Sequence, residues 1–144
     1  MSSVEENKAI VTRYVDEVNK QNYNAFDELV VEDYVDHDPI PGQEPGRDGL
    51  KKAYAIFSDP FPDVTFIFED VFGEGDLVVG RGVIYGTHRG EFLGVKATGK
   101  RVRWTGTRLF RLRDGKVAEG WINLDMYGLL QQLGAFPAAG QSGS

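Results

Sequence analysis

At Val64 the hydrophobic period of this chain changes from helical to alternating, and that change limits the folds open to it. Before it, Ile10, Val11, Tyr14, Val15 and Val18 recur at three- and four-residue steps. They follow Ser3-Val4-Glu5-Glu6, which has the spacing of a capping box, so a first amphipathic helix is predicted to end near Lys20. A shorter helical stretch over 24–30 carries Phe26, Leu29 and Val30. Tyr34-Val35-Asp36-His37-Asp38 then reads as a short strand or an extended run. Pro39, Pro41, Gly42, Pro45 and Gly46 make the next stretch a loop, since proline lacks an amide donor. Helix resumes around Arg47, with Leu50, Ala53, Tyr54 and Phe57 as its buried stripe, and Asp59-Pro60 stops it.

From Val64 onward, Val64, Phe66 and Phe68 alternate with Thr65, Ile67 and Glu69, and Gly73-Glu74-Gly75-Asp76 supplies a turn. A second strand is predicted over 77–88, and a third over 98–113 after a connection containing Gly90, Phe92, Leu93 and Gly94. Asp114-Gly115 is a hairpin turn, because both residues accept positive φ cheaply. A fourth strand ends in Gly120-Trp121-Ile122-Asn123-Leu124-Asp125-Met126 and hands over to a terminal helix marked by Met126, Leu129, Leu130 and Leu133 and closed by Gly134. Helices followed by antiparallel strands make an α+β domain with the helices gathered on one face of the sheet. One domain is expected over 1–137, with a flexible tail over 138–144. Apolar side chains stand on both faces of several strands, Ile67 and Val71 against Phe66 and Phe68, and Ile84 against Val83 and Tyr85. The second face is therefore expected to be covered by a second copy, giving a homodimer or higher homo-oligomer.

Composition removes several chemistries. The absence of Cys excludes disulfides, thiolate metal sites and cysteine nucleophiles. Of the serines only Ser58 lies away from the termini, and it has no flanking elbow glycines. Gly94-Val95-Lys96-Ala97-Thr98-Gly99-Lys100 has phosphate-loop spacing, but Arg101 stands where a magnesium-binding hydroxyl is needed and the run opens a strand. His37 and His88 form no His-x-x-x-His pair, and Asp36 and Asp38 point away from His37 if the chain is extended, so no metal site is expected. A net charge of −6 argues against nucleic acid and for a small molecule as ligand. The N-terminal residues lack the apolar core of a signal peptide and no run reaches membrane-span length, so a soluble, cytoplasmic protein is expected.

Two features remain that carry chemistry. Alternation puts Trp121, Asn123 and Asp125 on one face of the last strand, with Gly120, Ile122 and Leu124 on the other. If the first face lines a cavity, burial beside an indole raises the Asp125 pKa and makes it a base; if that face is wet, Asp125 caps the last helix. Arg108 breaks the phase of the basic residues Arg101, Arg103, Arg111 and Arg113 and falls with Val102, Trp104, Phe110 and Leu112. Either a bulge intervenes or a guanidinium enters the apolar face.

Taken together, the order of elements, the run Gly86-Thr87-His88-Arg89-Gly90-Glu91-Phe92-Leu93-Gly94, then Thr98-Gly99-Lys100, Phe110-Arg111-Leu112-Arg113-Asp114-Gly115-Lys116-Val117, Trp121, Asp125 and Leu129-Leu130-Gln131-Gln132-Leu133-Gly134 resemble the SnoaL-like polyketide cyclase (ester cyclase) family, within the nuclear transport factor 2 superfold. The early Asp36-His37 pair belongs to the same pattern. The resemblance implies a cone of helices on a curved, mainly antiparallel sheet around a pocket. It implies no cofactor, and an aspartate mapping to Asp125 as general base and acid in an intramolecular aldol closure on a small apolar or aromatic carbonyl compound. His37 is paired with it as a catalytic candidate, and Tyr14, Asp38, His88, Trp104, Arg108, Trp121 and Asn123 are candidates for binding substrate. The superfold also hosts isomerases, epoxide hydrolases and plain binding proteins. Ketosteroid isomerase resembles Arg13-Tyr14-Val15 and Asp38-Pro39 with Glu44-Pro45, which makes Asp38 the rival base, but Arg108 stands where that enzyme has a protonated carboxyl.

Overall fold

The computed structural model describes residues 3–136; the tail expected over 138–144 lies outside the described residues. The first helix, α1 (Val4–Asn19), is closed at its start by the capping box: the Glu6 N–H donates to Ser3 Oγ at 3.1 Å and the Ser3 N–H to Glu6 Oε1 at 3.3 Å. A 3-10 turn (Tyr23–Ala25) leads into the short α2 (Phe26–Leu29). Val30 is already extended, so β1 (Val30–Asp36) begins earlier than the sequence pattern indicates. After the proline loop come α3 (Gly46–Ser58), β2 (Thr65–Glu74) and β3 (Leu77–Thr87). Next are β4 (Arg101–Arg113), β5 (Lys116–Leu124) and α4 (Met126–Gln132). The third predicted strand starts at Arg101 and not at 98, because Gly99 has φ +73° and cannot continue a strand. Asp114 and Gly115 turn the last hairpin with φ of 52° and 79°.

The strands form one open, mixed sheet in the order β1-β5-β4-β3-β2, in which β1 pairs with β5 in parallel and the other neighbours are antiparallel. The ladder between β3 and β4 runs without a shift from Leu77↔Arg111 to Thr87↔Arg101. Between β4 and β5 the register is Gly106↔Leu124, Arg108↔Ile122 and Phe110↔Gly120, with its one irregularity farther along, at Arg111/Leu112. Facing partners share a side of the sheet. The side carrying Trp104, Arg108, Phe110, Gly120, Ile122 and Leu124 is therefore the inner one, and the residues between them are outer.

Helix α1 lays Val11, Tyr14 and Val18 on this inner side, in a buried cluster with Phe26, Leu29, Tyr34, Leu50 and Phe110. A second cluster, Phe61, Ile84, Phe92, Trp104, Leu129 and Leu133, lies under α4. Two glycines in β3 let the layers close: a Cβ at Gly82 would overlap the Ile67 carbonyl, and one at Gly80 would overlap the Phe68 ring. Among the described residues no helix is long and apolar enough to cross a membrane.

Candidate functional site

Both apolar clusters contribute walls to a cavity of about 390 Å³. Its lining is mostly aliphatic and aromatic, including Val15, Val18, Leu50, Phe57, Phe66, Ile84, Ile122 and Met126. Tyr14, Tyr54, Arg108, Asp36, Asp38 and Gln43 supply side-chain polar groups.

Arg108 reaches this cavity because β4 is in unbroken register with β3 there, so no bulge turns it outward and the guanidinium enters the apolar face. It is 9 % exposed. Its Nη1 donates to the Tyr54 hydroxyl at 3.1 Å and its Nη2 to the Tyr34 hydroxyl at 2.6 Å. The guanidinium carbon lies 5.0 Å from the Phe110 ring centroid and 5.7 Å from that of Tyr14. In β5, Gly120, the partner of Phe110, makes the space: a Cβ there would overlap the Tyr34 hydroxyl and stand 2.9 Å from Arg108 Nη2.

Tyr14 and Tyr34 are held in the protonated form. Burial pushes the Tyr34 hydroxyl up to about 12 against the opposing pull of Arg108, and it pushes Tyr14 well above the ordinary phenol range in the same way. Tyr14, stacked on Phe26 at 4.9 Å, shares a 2.7 Å hydrogen bond with Tyr54. That bond uses one of the two hydroxyl protons, so whichever way it points the pair keeps one proton to donate to a ligand.

Two carboxylates border the same cavity. Asp36 is tied down, its Oδ1 accepting the Asp38 N–H at 3.0 Å and its Oδ2 the Gln43 side-chain amide at 3.1 Å. Asp38 Oδ2 accepts the Ile122 N–H at 2.8 Å, leaving Oδ1 without a partner among the described residues. Asp38 is an exposed residue that also lines the cavity, so this carboxylate stands where solvent and ligand meet.

The remaining sequence candidates lie elsewhere. Trp121 and Asn123 pair with Leu109 and Thr107, on the outer side, and Asp125 continues their face. Asp125 is exposed and caps α4, its Oδ1 accepting the Gly128 N–H at 2.9 Å. It borders a shallow outer groove with Arg81, Thr105, Thr107 and Asn123, not the main cavity. His37 stacks on Trp121 at 4.3 Å and bonds Glu119 Oε1 at 2.9 Å, on the same outer side. His88 is fully buried away from the cavity lining. Its Nδ1 accepts the Thr98 N–H at 3.2 Å, while its backbone bonds Lys100 and Gly99, closing the base of the glycine-rich connection. Trp104 packs with Phe57 and Phe61 in the core, and its indole N–H has no partner among the described residues.

The structure thus brings Tyr14, Asp38 and Arg108 together and adds Tyr34, Asp36, Gln43 and Tyr54. Tyr34, Asp36 and Asp38 recur at every second residue of the segment that reads as a short strand or an extended run, and that spacing is the signal that groups them. Tyr54 falls on the buried stripe of its helix, a pattern that marks packing and carries no sign of what its hydroxyl bonds.

The profile of the SnoaL-like polyketide cyclases matches residues 8–133. This chain belongs to that family. The SnoaL-like fold is shared with the solved structures of several other proteins. TsrD from Streptomyces laurentii is 25 % identical, with 94 % of this chain and 100 % of that one covered and a TM-score of 0.85. AclR from Streptomyces galilaeus, a proposed hydroxylase, is 31 % identical, with 94 % and 100 % covered and a TM-score of 0.83. IdmH from Streptomyces antibioticus, a proposed polyketide cyclase, is 31 % identical, with 89 % and 98 % covered and a TM-score of 0.81. No curated protein matches the sequence.

Proposed function

We propose that this SnoaL-like protein catalyses cofactor-independent proton transfer on a small apolar carbonyl compound, the step that opens an aldol-type ring closure, with Asp38 as the base. The observation carrying this reading is that the Asp38 carboxylate and the Tyr14–Tyr54 hydroxyl pair line one apolar cavity, whereas Asp125 caps a helix outside it. Enolate formation needs a base at an acidified carbon and a donor for the oxygen that becomes charged. The partner-free Asp38 Oδ1 meets the first need. The spare hydroxyl proton of the tyrosine pair meets the second, and Arg108 strengthens that donor by bonding the Tyr54 oxygen. The same arrangement serves a double-bond isomerisation, and the resemblance of the Tyr14 and Asp38 segments to ketosteroid isomerase favours this as the second reading.

Self-association belongs to the proposal. Ile67 and Phe72 of β2 are 46 % and 58 % exposed, and a second copy would cover them. Light scattering across a concentration series checks this, with a monomer at every concentration as the contrary result.

The reaction is tested by following deuterium incorporation at the α-carbons of 2-tetralone by NMR. The unmodified protein accelerates exchange, Asp38→Asn loses on the order of 10²–10⁴ of that rate, and Asp125→Asn keeps it. Loss with Asp125→Asn alone would transfer the base to Asp125.

A further inference from the structure

We propose that the ligand enters this cavity as an anion, an apolar molecule carrying one carboxylate, and that Arg108 is the residue that receives it. This deepens the proposed function by naming the substrate class of the same cavity, and it does not depend on which residue is the base.

A guanidinium stays protonated throughout the accessible pH range, so Arg108 is a full positive charge taken almost wholly out of water. Among the described residues it has no ion-pair partner, although the Asp36 carboxylate acts on it from beyond ion-pair distance. Both of its hydrogen bonds go to tyrosine hydroxyls, and burial keeps Tyr14 and Tyr34 in the neutral form. The ring faces of Tyr14 and Phe110 hold the guanidinium but bring no net negative charge. Among the described residues no carboxylate lies within 4 Å of it, although the surface arginines Arg13, Arg81, Arg111 and Arg113 each have one. Asp36 borders the same cavity, yet its two oxygens are engaged by the Asp38 N–H and by Gln43.

A buried cation without an ion-pair partner does little for stability, since an apolar side chain of similar volume often does as well or better in such a place. It serves a partner that arrives with the opposite charge. Of the guanidinium's five N–H donors, those not bonded to Tyr34 and Tyr54 have no acceptor among the described residues, and the Nε donor is buried without one. An arginine in this condition matches a carboxylate, the acceptor whose two oxygens fit its fork. The rest of the lining is apolar, so the body of the ligand is too. A cavity of about 390 Å³ is of small-molecule size.

The test is a calorimetric titration at neutral pH with 2-naphthoate and with two neutral molecules of the same shape, methyl 2-naphthoate and 2-acetylnaphthalene. The unmodified protein is expected to bind the carboxylate at least about tenfold more tightly, a difference of about 1.4 kcal/mol. Arg108→Met removes the preference and Arg108→Lys restores part of it. Asp38→Asn keeps the preference while losing 2-tetralone exchange, which separates this inference from the choice of base. Equal or tighter binding of the neutral molecules by the unmodified protein overturns the inference without recourse to any variant. Survival of the carboxylate preference in a folded Arg108→Met protein does the same.

Discussion

Asp125 Oδ1 accepts the Gly128 N–H at 2.9 Å, closing the first turn of α4 with a side chain that stands outside the cavity. This bond satisfies one of the orphan amides of a short helix, so its value is structural. Asp125→Ala is expected to lower the unfolding free energy by about 1 kcal/mol, and Asp125→Asn, also a good cap, by much less. Urea denaturation measures both. A catalytic role for Asp125 would instead appear as lost turnover in the Asn variant at unchanged stability.

Gly120 is the point where β5 yields room to the Tyr34–Arg108 pair. Gly120→Ala puts a methyl group against the Tyr34 hydroxyl and Arg108 Nη2, and overpacking of this kind costs about 1–3 kcal/mol. Adding Tyr34→Phe removes the overlapped oxygen, so the double variant should recover part of the loss in a thermodynamic cycle. Additive losses would mean that the methyl group clashes with something other than the hydroxyl.

The buried phenols make stability fall at high pH. An exposed tyrosine ionises near 10, while Tyr34 is held up to about 12 by burial and Tyr14 is also raised. The folded chain thus holds protons that the unfolded chain has released, and stability declines with rising pH across that window. The contribution is complete below about 10 and lost as pH passes the folded-state value of Tyr34. Absorbance titration at 295 nm should show late-ionising tyrosines among the six, and Tyr34→Phe should remove one of them. Ionisation of all six near the ordinary value in a folded protein would contradict the burial argument.

Asp63 gives the opposite sign. Burial pushes its carboxyl up, but the Thr87 N–H and Oγ1 both bond it at 2.7 Å and together hold it below the ordinary value. Its contribution is complete above about 3.9 and lost as pH falls through the lower folded-state value. Thr87→Val should therefore be less stable than the unmodified protein at neutral pH, and the gap should narrow in acid. A gap independent of pH would assign the cost to packing of the valine instead.

The features legible in the sequence were those whose physics is local. Ser3 with Glu6, and Asp114 with Gly115, behave as their spacing predicts because a cap and a tight turn depend on neighbouring residues. Alternation also grouped Trp121, Asn123 and Asp125 correctly as one face. It could not say which side of the strand the helices would cover, since that depends on α1 and α3 packing against Phe110 and its neighbours, far along the chain. Arg108 was undecided for a related reason: the choice between bulge and buried guanidinium rests on the register with β3, which no residue near Arg108 encodes. Asp38 stands out in the sequence but Tyr34 and Asp36 do not stand out beside it, because β1 pairs only with β5, a parallel partner not evident in a run of hairpins.

That pairing bears on how the protein acquires its site. The β2–β3, β3–β4 and β4–β5 pairs join strands adjacent in sequence and can zip from their turns, whereas the Ile122–Asp38 bond spans 84 residues. Long-range closure must meet its entropic cost before any contact rewards it. The carboxylate edge of the cavity is thus expected to be assembled last in refolding, after the meander exists. In a stopped-flow experiment recovery of 2-naphthoate binding should lag the strand signal, and coincident recovery would show that β1 docks together with the hairpins.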